Sequence, residues 1–215
     1  MSRSPSPLLL VALLGFAPLA GGFATLPAPA FAQVQRDAAA EAFVSDQANR
    51  ALAILNQGDA TQKKAEFRAF VDQVADVPRI TGFVLGKYRR SITPEQYSAF
   101  SDAFRLYANS VYESRLGEYK GEHLQVTSSI VRAPGDVVVD SQVVGGQVRT
   151  PVEVKWRVLR EPDGRYRAVD VSIDGVWLAI TEQQDFVSTL DNNHGDINVL
   201  IAQLRNQAGQ PARRG

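Results

Sequence analysis

The run Arg165-Tyr-Arg-Ala-Val-Asp-Val-Ser-Ile-Asp-Gly-Val-Trp-Leu-Ala-Ile180 starts as a strand, turns sharply and ends in an apolar helix entry. Val169, Val171 and Ile173 fall on one side of an extended chain, and Ala168, Asp170 and Ser172 on the other. That period of two belongs to a sheet with two different faces. Asp174-Gly175 breaks it, because glycine readily takes positive φ and Asp-Gly is a turn dipeptide. Val176-Trp-Leu-Ala-Ile180 is a second apolar burst, and it runs on into a helical pattern through Phe186. Strand, corner and helix entry together predict a wall and a lip against which the remaining chain packs.

Upstream, the period of two recurs at Gln125–Val131, Asp136–Val144 and Thr150–Leu159. Gly145-Gly146 and Pro162-Asp-Gly164 separate the later runs, which predicts an antiparallel meander of about four strands. The third is the clearest: Val152, Val154, Trp156 and Val158 alternate with Glu153, Lys155 and Arg157. One side of that strand meets an apolar interior and the other meets water.

The flanking segments carry a helical period. Phe43, Val44, Ala48, Ala51, Leu52 and Leu55 recur at three and four within 38–55. A second helix starts near Thr61, and a short third one runs from Arg79 to Leu85. Thr93-Pro-Glu-Gln96 is a helix start: Thr93 caps, Pro94 suits the first turn and Gln96 completes a capping box. That helix is expected to reach about Leu116, with Phe100, Phe104, Tyr107 and Val111 in one stripe. Two helices close the chain over 178–205, the second capped by Asp196, and 207–215 reads as a frayed tail.

At the other end, Arg3, the apolar run Leu8–Leu14 and Ala30-Phe-Ala32 make residues 1–32 a signal peptide, cleaved after Ala32 and addressing the chain to the periplasm. An uncleaved anchor is the alternative, although the apolar run is shorter than the roughly 20 residues a membrane span requires. Removal of Arg3 with this segment leaves 22 basic and 23 acidic residues, a net charge of −1. The remaining 33–206 is expected to form a single α+β domain, large enough to be held by its core. Near-neutral charge without a basic run argues against a nucleic-acid partner. The absence of Cys excludes disulfides, thiolate catalysis and zinc–thiolate sites.

Little else suggests chemistry. The only histidines, His123 and His194, have no metal-ligand spacing. Asp191-x-Asn193-x-Gly195 lacks the sixth-position Gly and the acidic twelfth residue of a calcium loop. Asp170 and Asp174, four apart at a glycine corner, could be offered as an acid–base pair, but turn formation or pairing with Arg165 or Arg167 explains them as well. No catalytic residue, cofactor or metal is expected. What remains is apolar surface, which either packs as core or lines a cavity that a ligand fills.

Three segments together resemble the MlaC family of periplasmic phospholipid-binding proteins, the substrate-binding components of an ABC-type lipid transport system. The first is Phe83-Val-Leu-Gly-Lys-Tyr-Arg-Arg-Ser-Ile-Thr-Pro-Glu-Gln96 with Phe100 and Phe104; the second is Tyr166–Val176; the third is the helix to Phe186 with Leu200–Arg205. Arg89 stands where the family commonly has an aromatic, and Trp177 where it commonly has Ser. The resemblance implies an NTF2-like cradle, a curved antiparallel sheet wrapped by helices around a deep apolar pocket. It implies a carrier of phospholipid, or in a hopanoid-associated branch a hopanoid, moving between inner and outer membranes and so serving outer-membrane lipid asymmetry. The implied partners are an inner-membrane ABC complex and an outer-membrane lipoprotein complex. A non-lipid periplasmic adaptor is the alternative.

On that reading the lining comes from both sheet and helices. Phe100, Phe104, Tyr107 and Val111 would supply the helix side, and Val152, Val154, Trp156 and Val171 the sheet side. Val176, Trp177 and Leu178 would form the lip, and Leu85, Tyr88 and Phe186 are the next lining residues.

Overall fold

A computed structural model describes residues 35–115 and 120–209. The expected signal peptide over 1–32, the expected helix end at Leu116 and residues 210–215 lie outside the described residues. Four helices come first: α1 (Ala38–Leu55), α2 (Ala60–Val74), α3 (Val77–Val84) and, after a 3-10 turn over Gly86–Arg90, α4 (Pro94–Arg115). The strands follow as β1 (Glu122–Ala133), β2 (Asp136–Gly145), β3 (Val152–Arg160), β4 (Tyr166–Ile173) and β5 (Val176–Trp177). The last helices are α5 (Leu178–Asn192) and α6 (Ile197–Ala208). Gln207 and Ala208, expected in the tail, thus continue α6.

Short polar side chains start most helices. Asp37, Asp59, Asp76 and Asp196 each accept a backbone N–H from the first turn of the helix that follows. Before α4 the capping box is complete: Thr93 N–H donates to Gln96 Oε1 at 2.9 Å, and Gln96 N–H to Thr93 Oγ1 at 3.3 Å. Gly86 has a φ of 52°, and a Cβ there would meet Val187 Cγ2 at 2.8 Å. Only glycine lets the 3-10 turn lie this close to α5.

The strands form one antiparallel meander in the order β1-β2-β3-β4-β5. Two of them are bulged, β1 at Thr127 and Arg132 and β4 at Val169, because these three residues have no register partner. Bulges bend a strand and increase its twist, and these curve the sheet. The fifth strand is a departure from the sequence expectation. Asp174 and Gly175, with φ of 47° and 85°, make a two-residue hairpin that pairs Ile173 with Val176 and Ser172 with Trp177. Val176-Trp177 therefore extends the sheet edge, and the helix begins at Leu178.

Two apolar cores result. Ala40 and Val44 of α1 pack on Val137, Val139, Val158 and Ala168 of the sheet. The second core lies among α3, α4, α5 and α6, where Phe100, Leu190, Leu200 and Leu204 are fully buried. Its aromatic centre is ordered: Phe100 stacks on Phe104 at 5.9 Å, and Phe186 meets both edge-on at 6.0 and 5.9 Å.

Candidate functional site

Among the described residues, two apolar cavities flank the middle of the sheet. One, of about 200 Å³, lies where α3, α4 and α5 approach β4. The other, of about 210 Å³, lies between α1 and the first three strands. Trp156 forms a wall of the second and Val171 a wall of the first. These two residues are register partners across β3 and β4, so they stand side by side on one sheet face.

The expected lining residues divide between cavity and core. Phe104, Tyr107, Val111, Val171 and Leu178 all border the first cavity. Trp156 borders the second, beside Leu124, Val143 and the α1 residues Ala48, Leu52 and Leu55. Leu85, Phe100 and Phe186 are instead buried in the helical core, with Tyr88 packed against it. They share that core with Leu200, Ile201 and Leu204 of α6, which packs against α4. Val152, Val154, Val176 and Trp177 border neither cavity. Val154 is buried on the sheet, Val152 and Trp177 are half-buried, and Val176 is 54% exposed on the edge strand.

Alanines were not singled out from the sequence, yet they open the first cavity. Ala75, Ala108, Ala168 and Ala179 line it where larger side chains would fill the space. A signal was present for Ala179, which falls in the apolar run Val176–Ile180, whereas Ala168 shares its strand face with Asp170 and Ser172.

Two carboxyls border the same cavity. Asp170 Oδ1 accepts the N–H groups of Ala179 and Val171, both at 2.8 Å. Trp177, the N-cap residue of α5, has no capping side chain, so a strand residue caps this helix instead. Burial pushes the Asp170 carboxyl above its ordinary range, against the opposing pull of those N–H groups. Glu182 accepts the Tyr107 hydroxyl at 2.9 Å, and burial pushes its carboxyl up as well. In the second cavity, Trp156 Nε1–H donates to Ser141 Oγ at 3.1 Å, and Ser141 donates to the Val154 carbonyl at 2.7 Å. The indole's polar edge is thus satisfied within the sheet and its ring remains as apolar wall.

Asp174 is engaged elsewhere: Glu153 N–H donates to its Oδ1 at 3.2 Å, and its own N–H to the Glu153 carbonyl at 3.0 Å. Both aspartates of the conceivable acid–base pair therefore serve the backbone. Among the described residues no group of three His, Cys, Asp or Glu is placed to hold a metal ion. No helix among them is long and apolar enough to cross a membrane.

A helix-wrapped antiparallel cradle with apolar cavities against its sheet defines the class of protein. Within that class the chain belongs to the MlaC protein family, whose model matches residues 45–206. It is also similar to a solved structure, the phospholipid-binding protein from Ralstonia solanacearum in complex with a phospholipid. The TM-score is 0.69 at 27% sequence identity, over 82% of this chain and 100% of that one.

Proposed function

We propose that the protein is a periplasmic phospholipid carrier, released by cleavage after Ala32, that shuttles lipid between inner and outer membranes. The observation that carries this reading is the pair of similar apolar cavities flanking Trp156 and Val171. A 150 Å³ apolar cavity holds benzene, so about 200 Å³ accommodates roughly eight carbons of alkyl chain. Two such spaces suit the two tails of a phospholipid. A rigid fused-ring hopanoid would need one continuous volume instead. The complexed phospholipid of the Ralstonia solanacearum protein supports the same choice.

Each buried methylene is worth about 0.8 kcal/mol, so eight carbons contribute about 6 kcal/mol gross per cavity. A lipid leaving a bilayer exchanges one apolar medium for another, so the net change stays small and the transfer reversible. Direction then comes from partners that open the walls, an ABC-type complex at the inner membrane and a lipoprotein complex at the outer one. Organic extraction of the purified protein followed by mass spectrometry tests the reading. One phospholipid per chain is expected; a chain free of lipid after expression in a membrane-bearing host refutes it.

A further inference from the structure

A different groove, of about 660 Å³, runs between α1, the end of α2 and the β3–β4 turn. Its charge is unbalanced for a chain of net charge zero: Arg50, Arg160, Arg165 and Arg167 line it against Asp46 and Glu161. Arg165 is held by Asp163 at 2.6 Å, and Glu161 faces Arg79 at 3.8 Å. The other three guanidiniums bond only neutral oxygens among the described residues. Arg50 donates to the side-chain oxygens of Gln47 and Gln73, both at 2.8 Å. Arg167 donates to the Asp72 and Gln73 carbonyls at 3.1 and 3.4 Å. Gln73 thus holds two of these cations to one rim. Arg160 donates to the Gly164 carbonyl at 3.3 Å. Its neighbour Asp37 is occupied by the Tyr166 hydroxyl at 2.6 Å and the Ala40 N–H at 2.9 Å.

Each guanidinium has five N–H donors, and these bonds leave most of them free. Three arginines anchored by neutral groups, in a groove floored by Phe43 and Tyr166, make a site for an anion. A phosphomonoester carries close to two negative charges and three terminal oxygens, one for each fork, whereas a carboxylate offers two oxygens and one charge. We propose that this groove binds a phosphomonoester dianion, either free or as the head group of a phosphatidate. The assignment does not rest on the apolar cavities, and lipid extraction does not bear on it.

The test titrates the full chain with inorganic phosphate and glycerol 3-phosphate by calorimetry, and with sedimented vesicles. The vesicles are phosphatidylcholine alone, or phosphatidylcholine containing phosphatidate or phosphatidylglycerol. Saturable binding of the free phosphates assigns a soluble ligand; binding to phosphatidate vesicles alone assigns the lipid head group. In either case affinity falls roughly tenfold with each of Arg50→Gln, Arg160→Gln and Arg167→Gln. Asp46→Asn, which leaves the cations untouched, raises it. Binding to neither probe overturns the proposal, as does binding that survives the triple arginine variant with its unfolding midpoint unchanged. Equal binding to phosphatidate and phosphatidylglycerol also overturns it, because diffuse charge attraction would then suffice.

Discussion

Replacing Ala108 with leucine adds three carbons to the α4 wall of the cavity beside β4. If that space is open and apolar, the new carbons leave water at about 0.8 kcal/mol each, a gain of about 2.4 kcal/mol in the unliganded protein. Helix propensity barely changes between the two residues. The same carbons displace about three of the roughly eight that an alkyl tail would place there. Ligand affinity therefore falls by a similar amount, about fiftyfold at 1.4 kcal/mol per factor of ten. The assay pairs urea unfolding of delipidated protein with titration of a fluorescent single-chain fatty acid. Stability rising while affinity falls is the expected signature. Were the site already packed solid, the added carbons would cost about 1–3 kcal/mol through strain. A lowered urea midpoint with unchanged fatty-acid affinity would refute the reasoning.

Four further outcomes follow from contacts in the structure. Asp170→Ala leaves the buried Ala179 N–H without its acceptor and should lower unfolding free energy by about 1–3 kcal/mol, while Asp170→Asn, which keeps an acceptor oxygen, loses less in the same urea titration. Thr93→Ala opens the capping box of α4 and should cost about 1 kcal/mol, with Thr93→Ser close to the parent. Glu182 has a folded-state pKa above its ordinary 4.5 through burial, so its contribution to stability is complete below that value and is lost as pH rises through the raised one. Urea midpoints from about pH 4 to 8 should therefore show Glu182→Gln gaining on the parent as pH rises; a constant difference between the two would contradict the assignment. Asp37 contributes in the opposite sense: burial disfavours its charge, but bonds from Tyr166 and the first turn of α1 hold its pKa down, so its stabilisation is lost as pH falls.

The site was partly legible. Phe104, Tyr107 and Val111 follow from a helical stripe and Val171 from a strand alternation, and both patterns point inward wherever the elements pack. Phe100 lies on the same stripe as Phe104, yet α6 closes over it while Phe104 reaches the cavity. Nothing in the local pattern separates them, since the difference comes from a helix about a hundred residues later in the chain. Trp156 was expected in a single pocket and instead walls the cavity under α1. Asp170 read as a turn or ion-pair residue, and its role as the cap of α5 depends on the hairpin that folds Ala179 back onto β4.

The sequence by itself determined the order of the helices and of the first four strands, the starts of α4 and α6 and the meander, because caps, turn dipeptides and hydrophobic periods act over a few residues. It also carried the motifs that mark the family. The tertiary structure alone decided which inward faces close on one another and which stay apart. A period reports the direction of a side chain, whereas a void requires facing elements to be held off by contacts elsewhere, here with alanines at Ala75, Ala108, Ala168 and Ala179 too short to span the gap.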